Sequence, residues 1–109
     1  MNTYNKLVRD KIPEIIKKNG QLCKSEKLDQ SAYYRELRTK FKEELNEYLN
    51  TGNDQEAMEE LSDVLEVIHA LSEIHGKGYK DVEEVRQKKF NERGGFKERI
   101  FLIDVDDNH

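Results

Sequence analysis

On either side of Thr51-Gly52-Asn53-Asp54, apolar residues recur at the spacing of a helix face. Before this turn, from Ser31 to Asn50, Tyr34, Leu37, Phe41, Leu45 and Tyr48 follow one another at intervals of three and four. After it, Leu61, Val64, Leu65, Val67, Ile68, Ala70, Leu71 and Ile74 cover more than one face of a second segment, for which Asp54 can serve as the cap. A turn this short between two long helices forces them antiparallel, as in a helical hairpin. The second helix is apolar nearly all round, so it needs neighbours on several sides, from its own chain or from a second copy.

The remaining segments are shorter. Asp10 to Gly20 carries Ile12, Ile15 and Ile16 at helical spacing, with Asp10 placed to cap the start and Gly20 to end it. Gln21 to Lys27 has no sustained period and reads as a connector. Gly76 and Gly78 interrupt the pattern, and Asp81-x-x-Glu84 resembles a capping box that opens a helix running to about Glu92, before Gly94-Gly95. Ile100 to Ile103 is a β-prone run, suited to a short strand or to lying across the helices. The expected fold is an all-α bundle of about four helices with a short C-terminal extended segment, forming one domain over residues 1–109.

Composition bears on what such a bundle can do. Only 35% of the 109 residues are hydrophobic and 39% are charged, so a lone monomer would have a thin core. Association of identical copies is the general remedy, and a homo-oligomer is expected. Net charge is −4 and cations are interspersed with carboxylates, which argues against a nucleic-acid-binding surface. No apolar run approaches the roughly 18 residues of a membrane span, and the first residues are not signal-like, so a cytoplasmic protein is expected. Cys23 has no second cysteine to pair with and reads as an incidental thiol.

Against this background four carboxylates stand out. The stripe Tyr34, Leu37, Phe41 lands next on Glu44 before resuming at Tyr48, which puts a carboxylate where a core hydrophobe belongs. An ionised carboxylate out of water costs several kcal/mol unless a cation or hydrogen bonds compensate. Glu47 projects from nearly the same face one turn later, and Glu60 and Asp63 repeat the spacing at the start of the next helix. In a hairpin, both pairs fall beside the same turn. Four carboxylates converging without matching lysine or arginine on those faces would repel one another, and all-oxygen ligands suit Mg²⁺, with Mn²⁺ as the alternative, rather than zinc. Because Mg²⁺ takes its remaining ligands from water and substrate phosphates, a phosphorylated substrate is favoured. Either pair alone would more often be a solvated helix surface; it is the two pairs on core-facing stripes that point to a metal.

Glu43-Glu44-Leu45-Asn46-Glu47 followed by Glu60-Leu61-Ser62-Asp63 resembles the EExxE…ExxD signature of the all-α nucleoside triphosphate pyrophosphohydrolases, the MazG-like superfamily. Tyr4-Asn5-Lys6-Leu7-Val8-Arg9-Asp10-Lys11-Ile12-Pro13 and Lys88-Lys89-Phe90-Asn91-Glu92-Arg93-Gly94-Gly95-Phe96 look like its small phosphoribosyl-ATP pyrophosphohydrolase-like branch, so the likeness spans nearly the whole chain. The resemblance implies Mg²⁺-dependent cleavage of a nucleotide between its α and β phosphates, giving a monophosphate and pyrophosphate, by a homodimer or homotetramer. It implies Glu44, Glu47, Glu60 and Asp63 as metal ligands, with Glu43 beside them either as a water-orienting base or as a group supporting the ligands, and a weaker claim for Glu59. Lys88, Lys89, Asn91 and Arg93 would meet substrate phosphates, and Lys6 and Arg9 would serve as phosphate contacts or interface residues. Neither His69 nor His75 is assigned a role. The substrate is left open between phosphoribosyl-ATP and non-standard nucleotides removed in house-cleaning. The competing expectation is a helical regulatory protein that binds nucleotide and metal without turnover.

Overall fold

A computed structural model describes residues 2–107. It is all-α, with four helices and no strand among the described residues: α1 (Ile12–Lys18), α2 (Gln30–Leu49), α3 (Asp54–Ile74) and α4 (Tyr79–Arg93). None of these helices is long and apolar enough to cross a membrane. The chain divides into two compact units, Met1–Tyr79 and Lys80–His109.

In the first unit α2 and α3 pack together as the expected hairpin. Their facing sides meet through Leu37, Val64 and Val67, the buried hydrophobic side chains among the described residues. Full burial of a side chain of this kind contributes about 1.5–3 kcal/mol, so the hairpin rests on a small core. Much apolar surface stays in solvent, including Met58, Leu61 and Leu65 along α3 and Leu45 and Leu49 on α2. Leu45, although part of the periodic stripe, is therefore not core.

Helix ends follow local chemistry, with two departures from the sequence reading. The cap of α3 is Asn53 rather than Asp54: its extended backbone lets its side chain accept from Glu56 N at 2.9 Å, and Glu56 reaches back to Gly52 N at 3.3 Å. The two acceptors satisfy orphan amides on both sides of the turn, in the manner of a capping box. Asn53→Ala should lower stability by about 1 kcal/mol, read from the urea midpoint at unchanged slope. Asp10 likewise does not cap α1, which starts after Lys11 with no side-chain cap and Pro13 in its first turn, where a missing N–H is tolerated. Asp29 caps α2, accepting from Ala32 N at 2.8 Å.

Gly20 ends α1 as expected. At φ +80° it lets its own N–H reach the Lys17 carbonyl and the Gln21 N–H reach that of Ile16, the paired bonds of a Schellman turn. Gly76 closes α3 in the same way, through Glu73 and Ser72. Residues 21–28 have no regular structure, and the half-buried Cys23 thiol faces the Pro13 carbonyl at 3.8 Å.

In the second unit, α4 begins two residues before the expected capping box, so Asp81 lies inside its first turn, where a carboxylate complements the helix dipole. The run Ile100 to Ile103 forms no strand, and its side chains are exposed, Phe101 at 87%. Its β propensity finds no partner strand, and an unpaired strand gains nothing from propensity alone.

Candidate metal centre

Helical spacing on α2 brings Glu43, Glu44 and Glu47 together, and the hairpin brings Glu60 and Asp63 of α3 against Glu44. The carboxylate oxygens of Glu43, Glu44 and Glu47 lie within 4.8 Å of one another, as do those of Glu44, Glu60 and Asp63. Glu44 belongs to both sets and is the hub. It is also the buried member, 5% exposed, as its place on the apolar stripe predicted.

The burial is incompletely compensated. Lys40, one turn earlier on α2, holds Glu44 Oε1 at 3.2 Å. Glu44 Oε2 and Glu60 Oε2 are both buried without a hydrogen-bond partner among the described residues. The other buried polar side chain, Ser72, shows the normal solution: its hydroxyl donates to the His69 carbonyl at 2.7 Å. Orphaned buried oxygens of this kind are rare and call for a proton, an ion or water to satisfy them.

The electrostatics agree. Loss of hydration, then hydrogen bonds with Glu44 and Glu47 and their negative charge, pushes the Glu60 carboxyl up to about 7. Glu47 is also raised, by loss of hydration and then by Glu44, while its hydrogen bond with Glu60 pulls the other way. Two carboxylates can hydrogen-bond only if one keeps its proton, and a retained proton relieves part of the repulsion within the cluster. Burial works against the Lys40 ammonium, but the hydrogen bond to Glu44 and the charges of Glu43, Glu44 and Glu47 outweigh it and hold its pKa above the ordinary value.

The cluster is not free of cations, which corrects the sequence reading that no lysine or arginine matches these faces. Lys40 pairs with Glu43 at 3.6 Å as well as with Glu44, and its side chain is 20% exposed. Its position four residues before Glu44 was the available signal, obscured because it falls between Leu37 and Phe41 on the apolar stripe. From the N-terminal segment, Arg9 Nη2 donates to Asp63 Oδ1 at 2.6 Å and Lys6 lies 3.9 Å from Glu43. Arg9 and Lys6 are thus brought to the carboxylates. Lys88, Lys89, Asn91 and Arg93 are exposed on α4, in the second unit, where Asn91 accepts from Gln87 at 3.2 Å.

Glu59 belongs to neither carboxylate set; its carbonyl accepts from Ser62. His69 stacks on Tyr79 with ring centres 3.8 Å apart, and His75 meets the Tyr34 ring edge-on at 5.8 Å. Away from the carboxylates, Ser31, Tyr34, Arg35, Arg38, Thr39 and Lys42 line an open groove of about 400 Å³ on the N-terminal half of α2.

Five carboxylate side chains, two of which (Glu44 and Glu60) carry a buried oxygen with no hydrogen-bond partner among the described residues, form a donor set that fits a hard divalent cation. No protein-family model, curated protein or solved structure matches the chain.

Proposed function

We propose that this protein is a Mg²⁺-dependent nucleotide pyrophosphohydrolase of the all-α, MazG-like kind, cleaving between the α and β phosphates. The observation that carries the reading is Glu44: a buried carboxylate clustered with Glu60 and Asp63, with one oxygen tied to Lys40 and the other without a partner among the described residues. A stability-driven helix face would place a leucine there. Glu44, Glu47, Glu60 and Asp63 would hold the ion, with Mn²⁺ an alternative occupant.

The bound ion would supply positive charge to the phosphates and lower the pKa of a water. Lys40 engages Glu44 through Oε1, which leaves Oε2 without a partner among the described residues and available to the ion. Glu43, half-buried and paired with Lys40 and Lys6, would orient a water and accept its proton. Lys6 and Arg9 would balance charge on the leaving pyrophosphate; for Lys88, Lys89, Asn91 and Arg93 of the second unit, contact with phosphate is what the resemblance implies. Exposed Met58, Leu61 and Leu65 on α3 support assembly as a homo-oligomer, since a contiguous apolar stripe is what a second copy would cover.

Incubating the purified protein with a panel of canonical and non-standard nucleoside triphosphates and phosphoribosyl-ATP, with Mg²⁺, should release pyrophosphate from at least one, and a chelator should stop it. Metal binding without release from any nucleotide would instead mark a nucleotide- and metal-binding regulatory protein.

A further inference from the structure

Among the cations at the carboxylate cluster, one is built in and another is not. Lys40 sits on α2 at i, i+4 from Glu44 and is largely buried, so helix geometry keeps it in place. Arg9 lies before α1, in a stretch with no helix or strand, and reaches Asp63 across 54 residues of sequence. Its side chain and that of Asp63 are both partly exposed, at 56% and 38%. Moving it breaks no helical hydrogen bond. A guanidinium cannot give up its charge by deprotonation, so it can relinquish a carboxylate only by leaving.

Asp63 is at the same time one of the three residues, with Glu44 and Glu60, whose carboxylate oxygens lie within 4.8 Å of one another, and Glu44 and Glu60 each bring a buried oxygen without a hydrogen-bond partner among the described residues. A dication drawn to those oxygens would meet the Arg9 charge on the same carboxylate. We infer that Arg9 is a displaceable resident cation: it neutralises Asp63 while the centre is empty and competes with the divalent ion for that carboxylate. The inference rests on the metal-centre reading above.

The charge count supports it. Five carboxylates, Glu43, Glu44, Glu47, Glu60 and Asp63, meet three cations among the described residues, Lys6, Arg9 and Lys40, so carboxylates outnumber cations even with one of them protonated. An arriving ion takes over the neutralising role at Asp63. The guanidinium is then released beside the centre, free to bind an anionic group in its planar, two-pronged fashion. Metal entry would thereby make Arg9 available to a phosphate, whereas without the ion its guanidinium is paired with Asp63.

The test is Mn²⁺ binding by the full chain at fixed ionic strength, read by the electron paramagnetic resonance of free Mn²⁺. Wild type, Arg9→Gln and Lys18→Gln are compared; among the described residues Lys18 pairs with Glu14 on α1, away from the carboxylate cluster, so the third protein controls for net charge. An exposed ion pair is worth up to about a fivefold change in an equilibrium, so Arg9→Gln should bind Mn²⁺ about fivefold more tightly and Lys18→Gln should match wild type. Affinity of Arg9→Gln equal to or weaker than wild type would overturn the inference, as would equal tightening in both variants. Failure of wild type to bind Mn²⁺ would remove the metal-centre reading itself, and this inference with it.

Discussion

Glu47→Gln and Asp63→Asn should each lower Mg²⁺-dependent pyrophosphate release by at least about 100-fold, with helical circular dichroism unchanged. Each substitution keeps the shape of the side chain and removes one negative charge, the property a hard cation requires of its ligands. Neither position is core: Glu47 is exposed and Asp63 half-buried, so an amide is accommodated without repacking. The two variants should differ in a second respect. Asp63→Asn also frees Arg9 from its 2.6 Å bond, whereas Glu47→Gln leaves that bond in place. Wild-type turnover in both variants would sink the pyrophosphohydrolase assignment, because that reading makes each of the two carboxylates a ligand of the ion.

What could be read from the sequence was whatever depends on a single helical period. The register of α2 put Glu44 on the apolar face, and it is buried; Gly20 was placed to end α1, and it does so with the backbone only glycine adopts readily. Caps were harder, because Asn53 and Asp54 are both competent and the choice between them depends on which backbone turns extended. Lys40 was legible only by reading Glu44 as needing a partner rather than as lacking one. The Arg9–Asp63 contact was not legible as a contact, since it joins an irregular segment to a helix far along the chain and no periodicity encodes it. The tail failed in the opposite way: Ile100 to Ile103 carries local β propensity that the fold does not use.

In the absence of metal, stability should fall as pH rises from about 4.5 to about 7, and saturating Mg²⁺ or Mn²⁺ should abolish or reverse the trend. Glu60 has its carboxyl raised from 4.5 to about 7 in the fold, so within that window the native protein holds a proton that the unfolded chain has lost. Stability therefore decreases with pH there, and the penalty is complete above about 7, where native Glu60 is ionised among Glu44 and Glu47. Glu47 shifts in the same direction and adds to the slope. Lys40, raised above its ordinary value of 10.5, contributes only at alkaline pH and leaves this window untouched. A bound dication favours the ionised carboxylates, so its affinity rises over the range in which the metal-free fold weakens. Glu60→Gln separates the two effects: it should flatten the metal-free profile and make the protein more stable than wild type at pH 8, yet bind metal poorly. Thermal melts from pH 4.5 to 8, with and without metal, decide it. A metal-free profile that rises with pH would mean that the orphaned oxygens of Glu44 and Glu60 are satisfied in solution by some other cation. A profile that falls but ignores added metal would mean that the cluster is strained for a reason other than metal binding.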